Sequence, residues 1–304
     1  MFSYRHAFHA GNHADVLKHI VLMQLLAYLN QKETAYTVVD THAGAGVYQL
    51  DGEYAAKSGE AAEGIARIWD SKGMPAPVAE YVKEIKAMNP AGNLRHYPGS
   101  PFIAERLMRE QDRLRLFELH PTEIKILDEN IRKLEAHAAA NGQRSNVRGK
   151  RILLARADGF AGLKALLPPP SRRALVLIDP PYEDKDDYRK VRVALDDAQK
   201  RFATGTYAVW YPVLPRLESE QLPDRLKRVA QSDWLNVSLS IGLPSSEERG
   251  LHTSGMFIIN PPWTLEATLK QTLPWLTQAL ARDSTAHFTV QTGSAAKPVK
   301  AREE

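Results

Sequence analysis

Cysteine is absent from the 304 residues. That excludes a disulfide framework, a thiolate zinc site and a cysteine nucleophile. Long apolar runs are absent too. The longest strongly apolar stretch, Ile20 to Leu29, is too short to span a bilayer. Ahead of it stand four histidines, an arginine and an aspartate, and no small-residue cleavage site comes after it. A secretory leader is therefore not expected, and the cytoplasm is the expected compartment. Charge of one sign is scarce: 40 basic against 36 acidic side chains leave +4, a weak lean toward polyanions. With 43% hydrophobic and 25% charged residues, disorder of the whole chain is excluded as well. The length allows two domains, or one larger α/β domain with an insertion.

A helix is expected from Asn12, a good cap, to about Leu29, with Val16, Leu17, Ile20, Val21, Leu25 and Leu29 at helical spacing. Tyr36 to Asp40 reads as a buried strand. Two short amphipathic helices come next, around Ile65/Ile68/Trp69 and Val78/Tyr81/Val82/Ile85, punctuated by Gly73, Pro75 and Pro77. Regular alternation resumes at Ser100-Pro101, a cap and first-turn pair for the next helix. Strands are expected at 114–117, 152–154, 174–178, 206–211, 235–241 and 256–260, with helices between and after. Such alternation implies an α/β fold, a parallel sheet covered on both faces. Residues 1–50 and 95–283 form the main domain, with an N-terminal lid and first helix at 1–30. Residues 51–94 are a helical insertion, and 284–304 are a frayed tail.

In open α/β sheets, ligands bind beyond the C-terminal strand ends. Four expected strands end there in polar or glycine-rich groups. After Asp40 comes Thr41-His42-Ala43-Gly44-Ala45-Gly46, whose glycines permit close backbone approach. Gln49 stands where a dinucleotide fingerprint has its third glycine, and the loop has no Gly-Lys-Ser/Thr. The loop therefore suits a nucleoside-like ligand without a pyrophosphate. Glu118 fits ribose, since a carboxylate accepts from both hydroxyls. Taken alone it equally reads as a partner for Arg115. Asp158-Gly159 fits an adenine amino group, and Asp158 also reads as the cap of the next helix.

Asp179-Pro180-Pro181-Tyr182 is the most specific tetrapeptide. The exocyclic nitrogen of adenine is a poor nucleophile, because its lone pair is delocalised into the ring. A carboxylate and a backbone carbonyl accepting from its hydrogens would orient the lone pair and stabilise the positive charge developing on nitrogen. Asp179 supplies the first acceptor and Pro180 the second, preset by the stiff prolines. Tyr182 offers a ring for stacking on the base. Asn260-Pro261-Pro262-Trp263 repeats the pattern. It lies after the last expected strand and leads into a long helix, where proline is ordinary helix-start chemistry.

Lys18 and His19 are expected to face the ligand from the first helix. His9 and His13 have helical i, i+4 spacing, but no His-Glu-x-x-His or cysteine accompanies them, so no metal is expected. Arg144, Arg148, Lys150, Arg151 and Arg156 form a run with no acid between Ala136 and Ala157. It suits either a phosphate backbone or a solvated loop.

The N-terminal Tyr4-Arg5-His6, Gly11-Asn12-His13-Ala14-Asp15 and Lys18-His19, and then Asp40-Thr41-His42-Ala43-Gly44-Ala45-Gly46, resemble the RlmJ family of 23S ribosomal RNA adenine-N6 methyltransferases. Tyr97-Pro98-Gly99-Ser100-Pro101, Glu118-Leu119-His120-Pro121, Ala157-Asp158-Gly159-Phe160, Ile178-Asp179-Pro180-Pro181-Tyr182 and Asn260-Pro261-Pro262-Trp263 extend the resemblance to about residue 283. The chain departs from the pattern between about 135 and 150. The resemblance implies a Rossmann-like class I methyltransferase sheet with a small inserted helical subdomain, using S-adenosyl-L-methionine. It implies that His19, His42, Ser100, Glu118, Asp158 and Gly159 line the cofactor site; Lys18, Asp40 and Gly44 join them on the reading above. It implies that Asp179 is the catalytic acceptor. Tyr4 would meet the RNA, with Arg5 and His6 beside it. The expected partner is 23S ribosomal RNA, reached before or during ribosome assembly by a monomer with no membrane and no metal. A DNA adenine methyltransferase, or a non-catalytic RNA-binding assembly protein, would fit much of the same pattern.

Overall fold

The computed structural model describes residues 6–51, 59–140, 151–243 and 250–295. Its strands are β1 (Thr37–Asp40), β2 (Val47–Gln49), β3 (His96–Pro98), β4 (Arg113–Phe117), β5 (Ile152–Ala155), β6 (Ala174–Ile178), β7 (Thr206–Val213), β8 (Trp234–Ser240), β9 (Thr253–Ile259) and β10 (His287–Gly293). Its helices are α1 (His13–Leu29), α2 (Ile65–Ile68), α3 (Ala76–Ala87), α4 (Ser100–Leu107), α5 (Glu123–Ala140), α6 (Gly159–Leu166), α7 (Lys185–Arg201), α8 (Leu217–Val229) and α9 (Leu265–Leu280).

Eight strands form one sheet in the order β10-β8-β9-β7-β6-β1-β4-β5. β5, β4, β1, β6 and β7 run parallel, with Val39 level with Arg115 on one side and Val176 on the other. β9 runs antiparallel to both neighbours, and β10 antiparallel to β8. Strand side chains alternate between faces. Val38, Leu114, Leu175, Leu177 and Met256 join the core beneath α1, α4 and α9. Val39, Val176, Ile178, Val209 and Phe257 join the core beneath α6, α7 and α8.

Asn12 caps α1 as expected, accepting from the N–H groups of Ala14 and Asp15. α1 is buried over most of its length, packed against β9, α3, α4 and α9, with only Gln24, Ala27 and Tyr28 near its C-terminus reaching the surface. That burial, not a bilayer, explains its apolar run. No helix among the described residues is long and apolar enough to cross a membrane. The segment between the paired strands β2 and β3 carries α2 and α3. Ile65, Ile68, Val78, Tyr81 and Ile85 there share one core with α1.

Three expectations need correction. Residues 287–293, read as frayed tail, form edge strand β10, with Val290 level with Val237. Gly99 rather than Ser100 precedes α4 as its cap residue, and the Ser100 hydroxyl turns to Asp40. Arg151 is not a free member of the basic run. It pairs with Glu105 and donates to the carbonyls of Glu105, Met108 and Arg109, clamping the end of α4. Arg144, Arg148 and Lys150 lie outside the described residues, as do Tyr4 and Arg5.

Candidate active site

The C-terminal ends of β1, β4, β5 and β6 open on one cleft of about 670 Å³, within the size range of small-molecule sites. Lys18, His19, His42, Gly44, Ser100, Glu118, Asp158, Gly159, Asp179 and Pro180 all line it, with His6 at its rim. These residues come from positions spread over more than half the chain. The parallel register brings them to one edge.

Asp40 closes β1 and lies just beneath the cleft wall. Its carboxylate accepts from Ser100 Oγ at 2.6 Å and from the His42 N–H at 3.2 Å. Burial pushes its pKa up to about 6; the Ser100 bond opposes the rise, and the nearby Asp179 adds to it. Gly44 and Gly46 hold φ of 60° and 78°, a region favouring glycine. A Cβ on Gly46 would come within 2.7 Å of Leu127 and Phe102. Glu118 ties this loop to β4, accepting from Gly44 N–H at 2.8 Å and His120 N–H at 2.6 Å, one bond on each oxygen. Each oxygen keeps acceptor capacity.

Asp158 is the cap of α6, and both of its bonds fall on Oδ1. Gly159 lies against the β1 loop, and a Cβ there would meet the Thr41 carbonyl at 2.1 Å. His42 hydrogen-bonds Thr41 Oγ1 through Nδ1 at 2.8 Å and meets the Phe160 ring edge-on at 4.9 Å. Burial lowers its pKa to about 4, so the ring is neutral at pH 7.

A chain of polar contacts runs from the first helix to the cleft. His6 Nε2 is 2.9 Å from Asp15 Oδ2, Lys18 Nζ is 2.8 Å from Asp15 Oδ1, and the same Nζ donates to Asp179 Oδ2 at 2.6 Å. Burial disfavours the Lys18 ammonium, but Asp15 and Asp179 outweigh it and raise the pKa. Burial opposes the Asp15 carboxylate in turn, yet His6 and Lys18 hold it well below the ordinary range. Asp15 is a site residue that the sequence reading misses. A signal for it exists, since Asp15 and Lys18 stand three apart on one helix and therefore on one face.

Tyr182 departs from its expected place. Its ring is 1% exposed, packed against Tyr188 and Trp210, and its hydroxyl donates to the Trp210 carbonyl at 2.7 Å. It does not line the cleft. The backbone at Tyr182 is left-handed, with φ of 54°, an uncommon state for a bulky residue. The anchored ring holds that bend, which comes directly after the Asp179-Pro180-Pro181 lip. Tyr182 thus supports the motif from the core and offers no stacking surface.

A mostly parallel α/β sheet with β9 and β10 running against the rest, opening at its strand ends on a glycine-lined polar cleft, defines the Rossmann-like nucleotide-binding class. Within that class the chain belongs to the family described as "RsmJ: Ribosomal RNA large subunit methyltransferase D, RlmJ", whose model matches residues 33–292. Two relatives named ribosomal RNA large subunit methyltransferase J, from Escherichia coli and Haemophilus influenzae, are each 47% identical to it. They align over 290 and 292 residues, covering 95% and 96% of this chain and 98% of each relative. A crystal structure of a Legionella pneumophila protein superposes with a TM-score of 0.81 at 35% identity, covering 94% of this chain and 98% of that one.

Proposed function

We propose that the protein transfers a methyl group from S-adenosyl-L-methionine to the exocyclic N6 of an adenine in 23S ribosomal RNA. The observation that carries this reading is the lip of the cleft. Asp179 Oδ2 is held by Lys18 Nζ at 2.6 Å, while Oδ1 and the Pro180 carbonyl accept no hydrogen bond from the described residues. Two acceptors on adjacent residues are thus left for the two hydrogens of one amino group. The names of the Escherichia coli and Haemophilus influenzae relatives support ribosomal RNA as the substrate class.

The cleft residues fit the cofactor. Glu118 keeps acceptor capacity on both oxygens for ribose hydroxyls, and Asp158 Oδ2 is uncommitted beside them. The β1 loop and Gly159 lie in backbone contact, so no side chain at position 159 intrudes between them. Bound there, S-adenosylmethionine supplies an electrophilic sulfonium methyl. Asp179 and Pro180 orient the adenine amino group and stabilise the charge that develops on its nitrogen. The proton then leaves to Asp179 or to solvent. The base must be out of its stack to reach this lip, so single-stranded or looped RNA is the expected form.

The test is transfer of labelled methyl to protein-free 23S ribosomal RNA, with assembled large subunits and duplex DNA alongside. Label recovered as N6-methyladenine in the free RNA, and lost in Asp179→Ala, supports the reading. Label only in DNA, or full activity in Asp179→Ala, overturns it.

A further inference from the structure

His19 makes no hydrogen bond to Asp15, Lys18 or Asp179. Its Nδ1 lies 2.8 Å from the Tyr97 hydroxyl, and that hydroxyl lies 2.7 Å from the Tyr81 hydroxyl. All three residues are fully buried. Tyr97 belongs to β3, and Tyr81 to α3 in the segment between β2 and β3. The other ring nitrogen of His19, Nε2, is buried with no partner among the described residues, and His19 lines the cleft whereas neither tyrosine does.

The direction of the hydrogens along this chain is determined by its far end. Among the described residues the Tyr81 hydroxyl has a single partner, the Tyr97 oxygen. Its O–H must donate there, because a buried donor without an acceptor is strongly disfavoured. Tyr97, having accepted from Tyr81, donates its own hydrogen to His19 Nδ1. In a neutral imidazole one nitrogen carries the proton and the other accepts. With Nδ1 accepting, the proton sits on Nε2. The reverse direction would leave the Tyr81 hydrogen with nothing to bond. The ring is neutral, since burial lowers the His19 pKa to about 3.

We propose that Tyr97 and Tyr81 are positioning residues that fix His19 as its Nε2–H tautomer and present that donor to the carboxylate end of the S-adenosyl cofactor. The proposal rests on the methyltransferase reading above. A charged acceptor is the strongest partner for such a donor, whereas a cofactor ammonium, itself a donor, would be turned away. The inserted helix α3 then contributes to cofactor recognition without lining the cleft.

The test uses full-length protein labelled with 15N-histidine, with His19 assigned by comparison with His19→Asn. Long-range 1H–15N spectra report the tautomer, and calorimetry with S-adenosylhomocysteine reports affinity. Unmodified protein is expected to show an acceptor-type Nδ1 and a protonated Nε2. Tyr81→Phe leaves the Tyr97–His19 bond possible but frees its direction. The second tautomer should then appear, with Kd rising about 2- to 5-fold. Tyr97→Phe removes the bond, and Kd and the cofactor KM should rise about 10-fold while kcat stays within about 2-fold. Should Tyr97→Phe not fold, the tautomer in Tyr81→Phe decides alone. A protonated Nδ1 in unmodified protein overturns the relay. So does a Tyr81→Phe variant with unchanged tautomer and affinity. Unmodified protein that binds no S-adenosylhomocysteine, yet keeps the Nε2–H tautomer, overturns the methyltransferase reading and the cofactor role together.

Discussion

Two tetrapeptides of one pattern end two strands of the same sheet: Asp179-Pro180-Pro181-Tyr182 after β6, and Asn260-Pro261-Pro262-Trp263 after β9. Each contains a non-glycine residue with left-handed backbone, Tyr182 at φ 54° and Asn260 at φ 52°. Their surroundings are opposite. β6 is parallel to β1, so Asp179 reaches the cleft edge. β9 is antiparallel to β7, with Ile259 level with Tyr207, so Asn260 reaches the opposite edge. There its amide donates to the carbonyls of Ala203 and Gly205 at 2.8 and 2.7 Å, closing the turn after α7. The aromatic residues differ in the same sense, Tyr182 being 1% exposed and Trp263 83%. The tetrapeptide specifies a bend at a strand end. Strand direction decides whether the bend meets a cleft or closes a turn.

Activity should break the symmetry most strongly. Asp179→Ala is expected to lower kcat for methyl transfer by about 10²- to 10³-fold, as loss of one preset electrostatic group does. Asn260→Ala, assayed the same way on 23S ribosomal RNA, should stay within about 2-fold, since it removes no group from the cleft. Comparable losses in both variants would mean that the second motif also meets substrate.

The dependence of stability on pH should separate the two edges next. His42 beside the cleft and His13 at the start of α1 are lowered to about 4 by burial, and His19 to about 3. A base whose folded pKa is depressed contributes stability that is present above its ordinary value near 6.5 and lost as pH falls. Asp40, raised to about 6 by burial, acts oppositely: its contribution is present below the ordinary aspartate value and lost as pH rises through 6. Three histidines outweigh one aspartate, so urea midpoints should fall from pH 7 to pH 4.5. His42→Gln should remove up to about 3 kcal/mol of that dependence. At the opposite edge Asn260 binds two carbonyls, which do not titrate. Asn260→Ala should cost about 1–2 kcal/mol, equally at pH 7 and pH 5.5.

Much of this contrast is legible in the sequence, because it rests on periodicity and on the polar residues that terminate each strand. The Asn12 cap, the buried strand at Tyr36–Asp40 and the polar strand ends at Glu118, Asp158 and Asp179 are consequences of local rules. Strand order is not legible there: the long helix that follows sets the Asn260 motif apart from that of Asp179, but not its place at the opposite edge. The role of Tyr182 is hidden for a related reason. Which way an aromatic ring turns at a bend depends on the cavity beneath it, here formed by Tyr188 and Trp210, and Trp210 is far off in sequence. Strand β10 escapes the sequence reading although Phe288, Val290 and Thr292 alternate as a strand does; their position just before the chain end suggests fraying. The Lys18–Asp179 pair joins residues 161 positions apart, a contact that no spacing rule reaches.

The smallest effects test the aromatic halves of the two motifs. Tyr182→Phe keeps the buried ring and removes only the bond to the Trp210 carbonyl. It should cost about 1 kcal/mol in urea unfolding. Substrate KM should not change, because the ring does not line the cleft. A base-stacking role predicts a different pair of results: Tyr182→Phe would be silent in stability, and Tyr182→Leu would raise the RNA KM before it affected folding. Trp263→Ala removes a ring that is 83% exposed, and its unfolding free energy should stay within about 0.5 kcal/mol of the unmodified protein. If Trp263→Ala instead weakens RNA binding at unchanged stability, the second tetrapeptide is a contact surface as well as a turn. The two edges would then divide substrate recognition between them.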